Sequence, residues 1–234
     1  MLPTIATGNV ASAIGGGYEV ANSCRFNDDD NPDFTKTLSG DGSLTTWTFS
    51  TWFKRSGITT SGNQKILGTD YTAGGINGEF NLYICNSGDA RADKIAIEDY
   101  SDNGVVQTIN VLGTRVLRDV SAWYHLCVAL NTTDSTESNR LKIWINGELE
   151  TLTGTMPAED ATTIWNNDSH VQAIGGDAYS TGVSFDGYLA ETVFIDGSAL
   201  DYTSFAEFDE DSPNILKPID VSGLTFGTNG FYLD

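Results

Sequence analysis

From Tyr18 to about Asp196, apolar and polar residues alternate in short runs broken by clusters of Gly, Asn, Asp and Ser. A period of two sends successive side chains to opposite faces of an extended chain, so the pattern predicts half-buried β-strands joined by turns. The clearest predicted strands start at Tyr18 (YEVANSCRF), Thr45 (TTWTFSTWFKR), Glu79 (EFNLYICN), Lys94 (KIAIEDY), Val105 (VVQTINVL), Trp123 (WYHLCVAL), Arg140 (RLKIWING) and Tyr188 (YLAETVFID). In WYHLCVAL, Trp123, Cys127 and Ala129 back onto Tyr124, Leu126, Val128 and Leu130, which predicts a strand covered on both sides. In YLAETVFID, Glu191 shares the parity of Leu189, Val193 and Ile195 and is expected as a buried, hydrogen-bonded structural residue. Asn146-Gly147 predicts a type I′ hairpin, because both central residues of that turn need positive φ. The polar loop TTDSTESN is expected to project from an edge, and no helical period of ordinary length is present. The fold class is all-β, a two-sheet antiparallel sandwich.

The pattern changes at both ends. Residues 1–16 are small, apolar and Gly-rich without a period, and read as a flexible arm; residues 17–200 read as one sandwich. Residues 201–234 predict a helical turn capped by Asp201, then a strap; the closing GTNGFYLD reads as a strand in a chain expected to continue.

Composition narrows the function classes. Hydrophobic residues make up 39% and aromatics 11% of the 234, enough for a sizeable core, and no apolar run approaches the ~20 residues of a membrane span. With 12 basic and 32 acidic residues the formal charge is -20. A phosphate backbone is repelled by such a chain, so neither nucleic acid nor membrane insertion is expected. The carboxylates solvate the surface and also offer oxygen ligands to calcium. Cys24, Cys85 and Cys127 are far apart, in no metal-site spacing, and are expected as buried thiols. The N-terminus carries no basic, leucine-rich leader, so the triplets at Asn131 and Asn167 are expected to stay unglycosylated in a reducing compartment.

Candidate chemistry is sparse. Glycoside hydrolysis needs two carboxyl groups about 5 to 9.5 Å apart. Glu191 has its next acid, Asp196, on the opposite parity, and Glu98 and Asp99 point to opposite faces. Glu148 and Glu150 share a parity flanking Leu149, an arrangement that suits an outward acidic face over an inward leucine. His125 lies in a core-like strand and no GxSxG elbow exists, so no catalytic residue is assigned. For calcium, the cluster Asn27-Asp28-Asp29-Asp30-Asn31 lacks EF-hand spacing, while Asp70, Asn77 and Asp177 would converge if their strands are neighbours. Tyr71, Tyr179 and Trp165 sit in Gly- and Asn-rich loops, where an exposed ring can stack on a sugar or equally cover the core.

The succession WTFSTWFKRSG, QKILGTD, EFNLYI, WYHLCVAL, RLKIWINGELETL, AIGGDAYSTG and FDGYLAETVFIDGSALD resembles the concanavalin A-like lectin/glucanase superfamily, in its laminin G-like and pentraxin-like branch. That likeness implies a jelly-roll sandwich whose rim loops serve as calcium or glycan sites in many relatives. It puts the pentraxin-like calcium loops at Asn77 and Asp177, with Ile76 standing where an aspartate is expected. The glucanase branch's paired acids are missing, so its hydrolytic activity is not carried over. SCRFNDDDNPDF, FIDGSALDYTSFAEFDED and GTNGFYLD are similar to laminin G-like domains of tailed-phage virion proteins. This implies a virion surface protein made in the bacterial cytoplasm: a tail-fibre, tail or head-decoration subunit. Its implied partners are other virion proteins, further copies of itself and a host glycan, with the N-terminal arm and C-terminal strap tying it to neighbours.

Overall fold

The computed structural model describes residues 18–58, 62–69, 72–73, 76–88, 90–101, 106–178 and 184–234. In chain order the strands are β1 (Cys24–Phe26), β2 (Phe34–Lys36), β3 (Thr46–Arg55), β4 (Gln64–Thr69), β5 (Thr72–Ala73), β6 (Ile76–Asn77), β7 (Glu79–Ile84), β8 (Lys94–Ser101) and β9 (Val106–Val116). They continue with β10 (Tyr124–Asn131), β11 (Leu141–Ile145), β12 (Glu148–Leu149), β13 (Thr153–Thr155), β14 (Gln172–Ile174), β15 (Gly187–Asp196), β16 (Ala206–Phe208), β17 (Leu216–Pro218) and β18 (Phe231–Leu233).

Two seven-stranded antiparallel sheets face each other. The back sheet runs β1-β15-β3-β10-β11-β12 with β18 also on β15, and the front sheet runs β13-β9-β8-β7-β4-β14-β2. Alternation explains the core between them: Trp47, Phe49 and Phe53 of β3, Leu126, Val128 and Leu130 of β10, Leu82 and Ile84 of β7 and Ile95 and Ile97 of β8 all point inward and are buried. β10 lies between β3 and β11, with Cys127 in a second apolar cluster on its outer side. The double-sided pattern of WYHLCVAL therefore has a cause: residues past Leu200 roof the back sheet with Phe205, Val221 and Phe226. The C-terminal strap is thus part of the fold. Its Tyr202–Ser204 turn is capped as expected, Asp201 Oδ1 accepting from Thr203 N at 3.0 Å. Its last strand pairs with Thr192–Phe194.

The type I′ turn is present: Asn146 and Gly147 have φ of 52° and 79°, and Asn146 Oδ1 accepts from His125 N at 2.8 Å. The TTDSTESN loop is exposed at Thr133 and over residues 135–139, and a short helix, α1 (Glu137–Arg140), anchors its end: Arg140 is buried, donating to the carbonyls of Asp134, Ser135 and Pro157. One expectation needs correction. Leu149, expected inward, is 58% exposed, while Glu150 turns in; its Oε2 accepts the backbone N–H groups of Thr114 and Arg115 at 3.1 and 3.0 Å. Strand β12 ends at Leu149, so strict alternation does not extend to Glu150. Of the cysteines, Cys85 and Cys127 are buried and Cys24 is half-buried. The described residues include no helix long and apolar enough to cross a membrane.

Candidate functional site

The front sheet carries polar chemistry on its outer face. Leu82 of β7, Ile97 of β8 and Ile109 and Val111 of β9 face the core, so Asn81, Tyr83, Glu98 and Asn110 face outward. The ladders set these in cross-strand rows. Asn110 lies opposite Glu98, Glu98 opposite Asn81, Asn81 opposite Gly68, and Gly68 opposite Ala173. Beside this row run Leu112, Ala96, Tyr83 and Lys65, and on the other side Gln107, Tyr100 and Glu79.

Arg91, from the β7–β8 turn, stands over the Tyr83 ring with 5.8 Å to its centroid. Its Nη1 donates to Tyr83 Oη at 3.0 Å and to Glu98 Oε1 at 3.1 Å. Gln107 Nε2 donates to Tyr100 Oη at 2.6 Å and Asn110 Nδ2 to Gln107 Oε1 at 3.0 Å. Burial, and then Glu98, push the Tyr83 and Tyr100 phenols up, so both remain neutral donors. Asn81 is buried, and its Oδ1 has no partner among the described residues. At one end the chain at Gly176–Asp177 crosses directly over Gly68, where a Cβ would meet Gly176 O at 2.7 Å and Asp177 Cβ at 2.8 Å. A side chain there would lift this crossing off the sheet.

The sequence-predicted residues fall out unequally. Asp177 is buried and ion-paired with the Lys65 ammonium. Asp70, Tyr71 and Tyr179 lie outside the described residues, as does the side chain of Asn77, whose backbone pairs with Thr72. Among the described residues no three His, Cys, Asp or Glu side chains converge as a metal set. The Asn27–Asn31 cluster is a short turn closed on itself, Asn27 Nδ2 donating to Asp30 Oδ2 at 2.8 Å.

Trp165 is corrected: it is 2% exposed, packed in the core with ring centroids 5.8 Å from Phe80 and 5.7 Å from Phe194. Its polar neighbours turn the loop inward, Thr163 N donating to Leu44 O at 2.9 Å and Asn166 N to Gln172 Oε1 at 2.9 Å. Tyr100 and Asn81 were missed although their strands were identified, and Arg91 was missed in the turn between them. Placing polar residues on the outer parity of EFNLYI and KIAIEDY was the signal available.

Arg115 bridges Glu148 and Glu150. His125 Nε2 sits 2.9 Å from Ser50 Oγ; both are buried, and burial pushes the imidazole down to about 3. The face expected to be shared by Leu189, Glu191, Val193 and Ile195 is split. The pairing of β15 with β3 skips a register between Ala190 and Val193, and Glu191 takes φ of 51° at this bulge. Leu189 therefore points into the main core while Val193 and Ile195 point into the outer cluster. Glu191 Oε2 accepts the Tyr18 and Tyr232 hydroxyls at 2.8 and 2.7 Å.

A two-sheet jelly roll with one roofed face and one polar face defines the class of lectin-like sandwich domains. Residues 29–200 match the family model described as "Concanavalin A-like lectin/glucanases superfamily", in its laminin G form, and the chain belongs to that family. No curated protein matches it. Among solved structures it is similar to a SAP-like pentraxin of Limulus polyphemus, at 14% identity and TM-score 0.47, covering 76% of this chain and 77% of that one. It is also similar to the CBM40 of the Ruminococcus gnavus IT-sialidase bound to alpha2,3 sialyllactose, at 18% identity and TM-score 0.47, covering 72% and 94%. Mouse laminin alpha1 domains LG4-5 are similar at 17% identity and TM-score 0.46, covering 78% and 44%.

Proposed function

We propose that the chain is a non-enzymatic adhesion domain of a phage virion surface protein, a fibre, tail or head-decoration subunit, holding a glycan on the outer face of its front sheet. The observation that carries the adhesive reading is the network of Arg91, Tyr83 and Glu98 beside Tyr100, Gln107 and Asn110. Sugar hydroxyls need paired donors and acceptors fixed on a rigid floor, with an aromatic ring to cover apolar C–H faces. Arg91 and Gln107 supply donors, Glu98 an acceptor, and Tyr100 a half-buried ring. Support for the virion setting comes from the phage-like segments at both ends of the sequence.

A glycan array tests the adhesive part. Binding is expected to fall about tenfold in both Arg91→Ala and Tyr100→Ala, the size of one lost charge-assisted hydrogen bond or ring contact. It is expected to persist in chelator; loss on chelation would make the domain a calcium-dependent carbohydrate-binding module instead. Mass spectrometry of purified particles tests the virion part, with a fixed stoichiometry expected and absence of the subunit refuting it.

A further inference from the structure

One edge of the sandwich is open. There β1 and β18 line the edge of the back sheet, while β2 ends the front sheet, pairing only with β14 among the described residues. Between them lies a cleft of about 370 Å³ walled by Phe26, Phe34, Ile174, Leu189 and Leu233, with Cys24 at its side. Phe34 is 49% and Leu233 41% exposed. At ~30 Å³ per water the volume equals that of about a dozen molecules, set against walls that are mostly carbon and offer them few partners. Such a gap beside unpaired strand edges suits an extended apolar segment.

The path of the chain indicates which segment. Upstream of β1, the Tyr18 side chain reaches Glu191 and Tyr232, its hydroxyl 2.6 Å from the Tyr232 hydroxyl. Tyr232 and Leu233 of β18, which pairs with Thr192–Phe194, line the cleft, so the first described residue stands beside it. Residues 1–17, MLPTIATGNVASAIGGG, lie outside the described residues. They carry Leu2, Ile5, Val10 and Ile14, contain no Asp, Glu, Lys or Arg, and end in three glycines that make a short tether.

We infer that residues 2–14 fold back into this cleft of their own chain, setting aliphatic side chains against Phe34, Ile174 and Leu233. A short tether holds the segment at a millimolar-scale effective concentration, so it outcompetes the same segment from another copy at ordinary protein concentrations. An uncharged segment also adds no repulsion to a chain of net charge -20. This goes beyond the adhesive reading and is independent of it.

Cys24 is a built-in reporter, since it lines the cleft while Cys85 and Cys127 are buried. In the full chain Cys24 is expected to react with a thiol reagent at least about tenfold more slowly than in a chain lacking residues 2–14, as exposure controls the rate. Adding the peptide of residues 1–17 in millimolar excess should restore protection. Equal rates in the two chains would overturn the inference, as would protection that grows with protein concentration, which would assign the segment to a second copy. If the shortened chain fails to fold, full-length Ile5→Cys, Val10→Cys and Ile14→Cys variants decide. Mild oxidation should give an intrachain disulfide to Cys24 in at least one variant, whereas disulfide-linked dimers alone, or no crosslink in any, would refute docking in cis.

Discussion

Glu191 sits in a strand with a left-handed backbone, and its carboxylate is buried; two phenols satisfy Oε2, while among the described residues it has no basic partner and Oε1 has no partner. Burial first, then the neighbouring phenol and Glu191, push the Tyr232 hydroxyl up, so it stays a donor. Glu191→Gln makes these bonds neutral and is expected to lower stability by about 1 kcal/mol in urea unfolding. Glycan affinity should not change, and a selective loss of binding at unchanged stability would contradict this role. Asp99 is a different case, a carboxyl buried at the front sheet's inner face and bonded by Thr108 Oγ1 at 2.5 Å and Ile164 N at 2.9 Å. Burial, opposed by those bonds, raises it from 3.8 to about 6. The folded state then holds a proton that the unfolded chain releases, so Asp99 stabilises most below about pH 4 and that contribution is lost as pH rises through about 6. Asp99→Asn should flatten the stability profile across this window. An unchanged slope between pH 4 and 6 in the variant would show that another group titrates there.

At the level of elements, the Asn146–Gly147 turn is set by backbone chirality. Gly147→Ala forces a side chain into φ of 79° and to 3.1 Å from the Phe208 and Tyr202 rings. It is expected to cost about 1–2 kcal/mol, read as a lower denaturation midpoint with unchanged slope. That turn, β3, β7, β8 and β11 were legible from a period of two or a distinctive dipeptide, and β10 from an eight-residue, mostly apolar run covered on both sides. β2, β4 and β14 were not picked out: β2 and β14 span three residues each, and β4 is buried along its whole length, so no alternation distinguishes it. The bulge at Glu191 was invisible for a related reason, since an inserted residue leaves local composition unchanged and only the pairing partner exposes it. Arg55 was unreadable too. At the end of a strand it looks solvent-facing, yet it is buried and paired with Asp93 at 2.9 Å, which a sequence separation of 38 residues conceals.

For the whole molecule, the two outer faces differ in kind: the back is roofed by the chain's own C-terminal residues, whereas the front carries polar side chains from Asn81, Glu98 and Asn110. Truncation after Ser204 should bare Val193, Ile195 and Cys127, and make Cys127 react with thiol reagents that leave it untouched in the intact chain. Persistent protection of Cys127 would mean that the roof is dispensable. The net charge of -20 also repels itself across the surface. Raising salt from low to physiological concentration should therefore raise Tm, while the buried Arg55–Asp93 pair is little screened. A Tm that falls over this range would place the controlling electrostatics in exposed ion pairs.

The single extra residue in β15 acts as a phase shift: before it odd-numbered side chains enter the sandwich, and after it even-numbered ones do. Removing one codon at position 191 would cancel the shift, sending Val193 and Ile195 to the side now filled by Phe194 and thrusting Phe194 under the roof. Any substitution at 191 disturbs one side chain, whereas that deletion would mismatch both cores at once. Among all changes at this position, a one-residue loss should therefore be the least tolerated in a deep mutational scan that includes deletions.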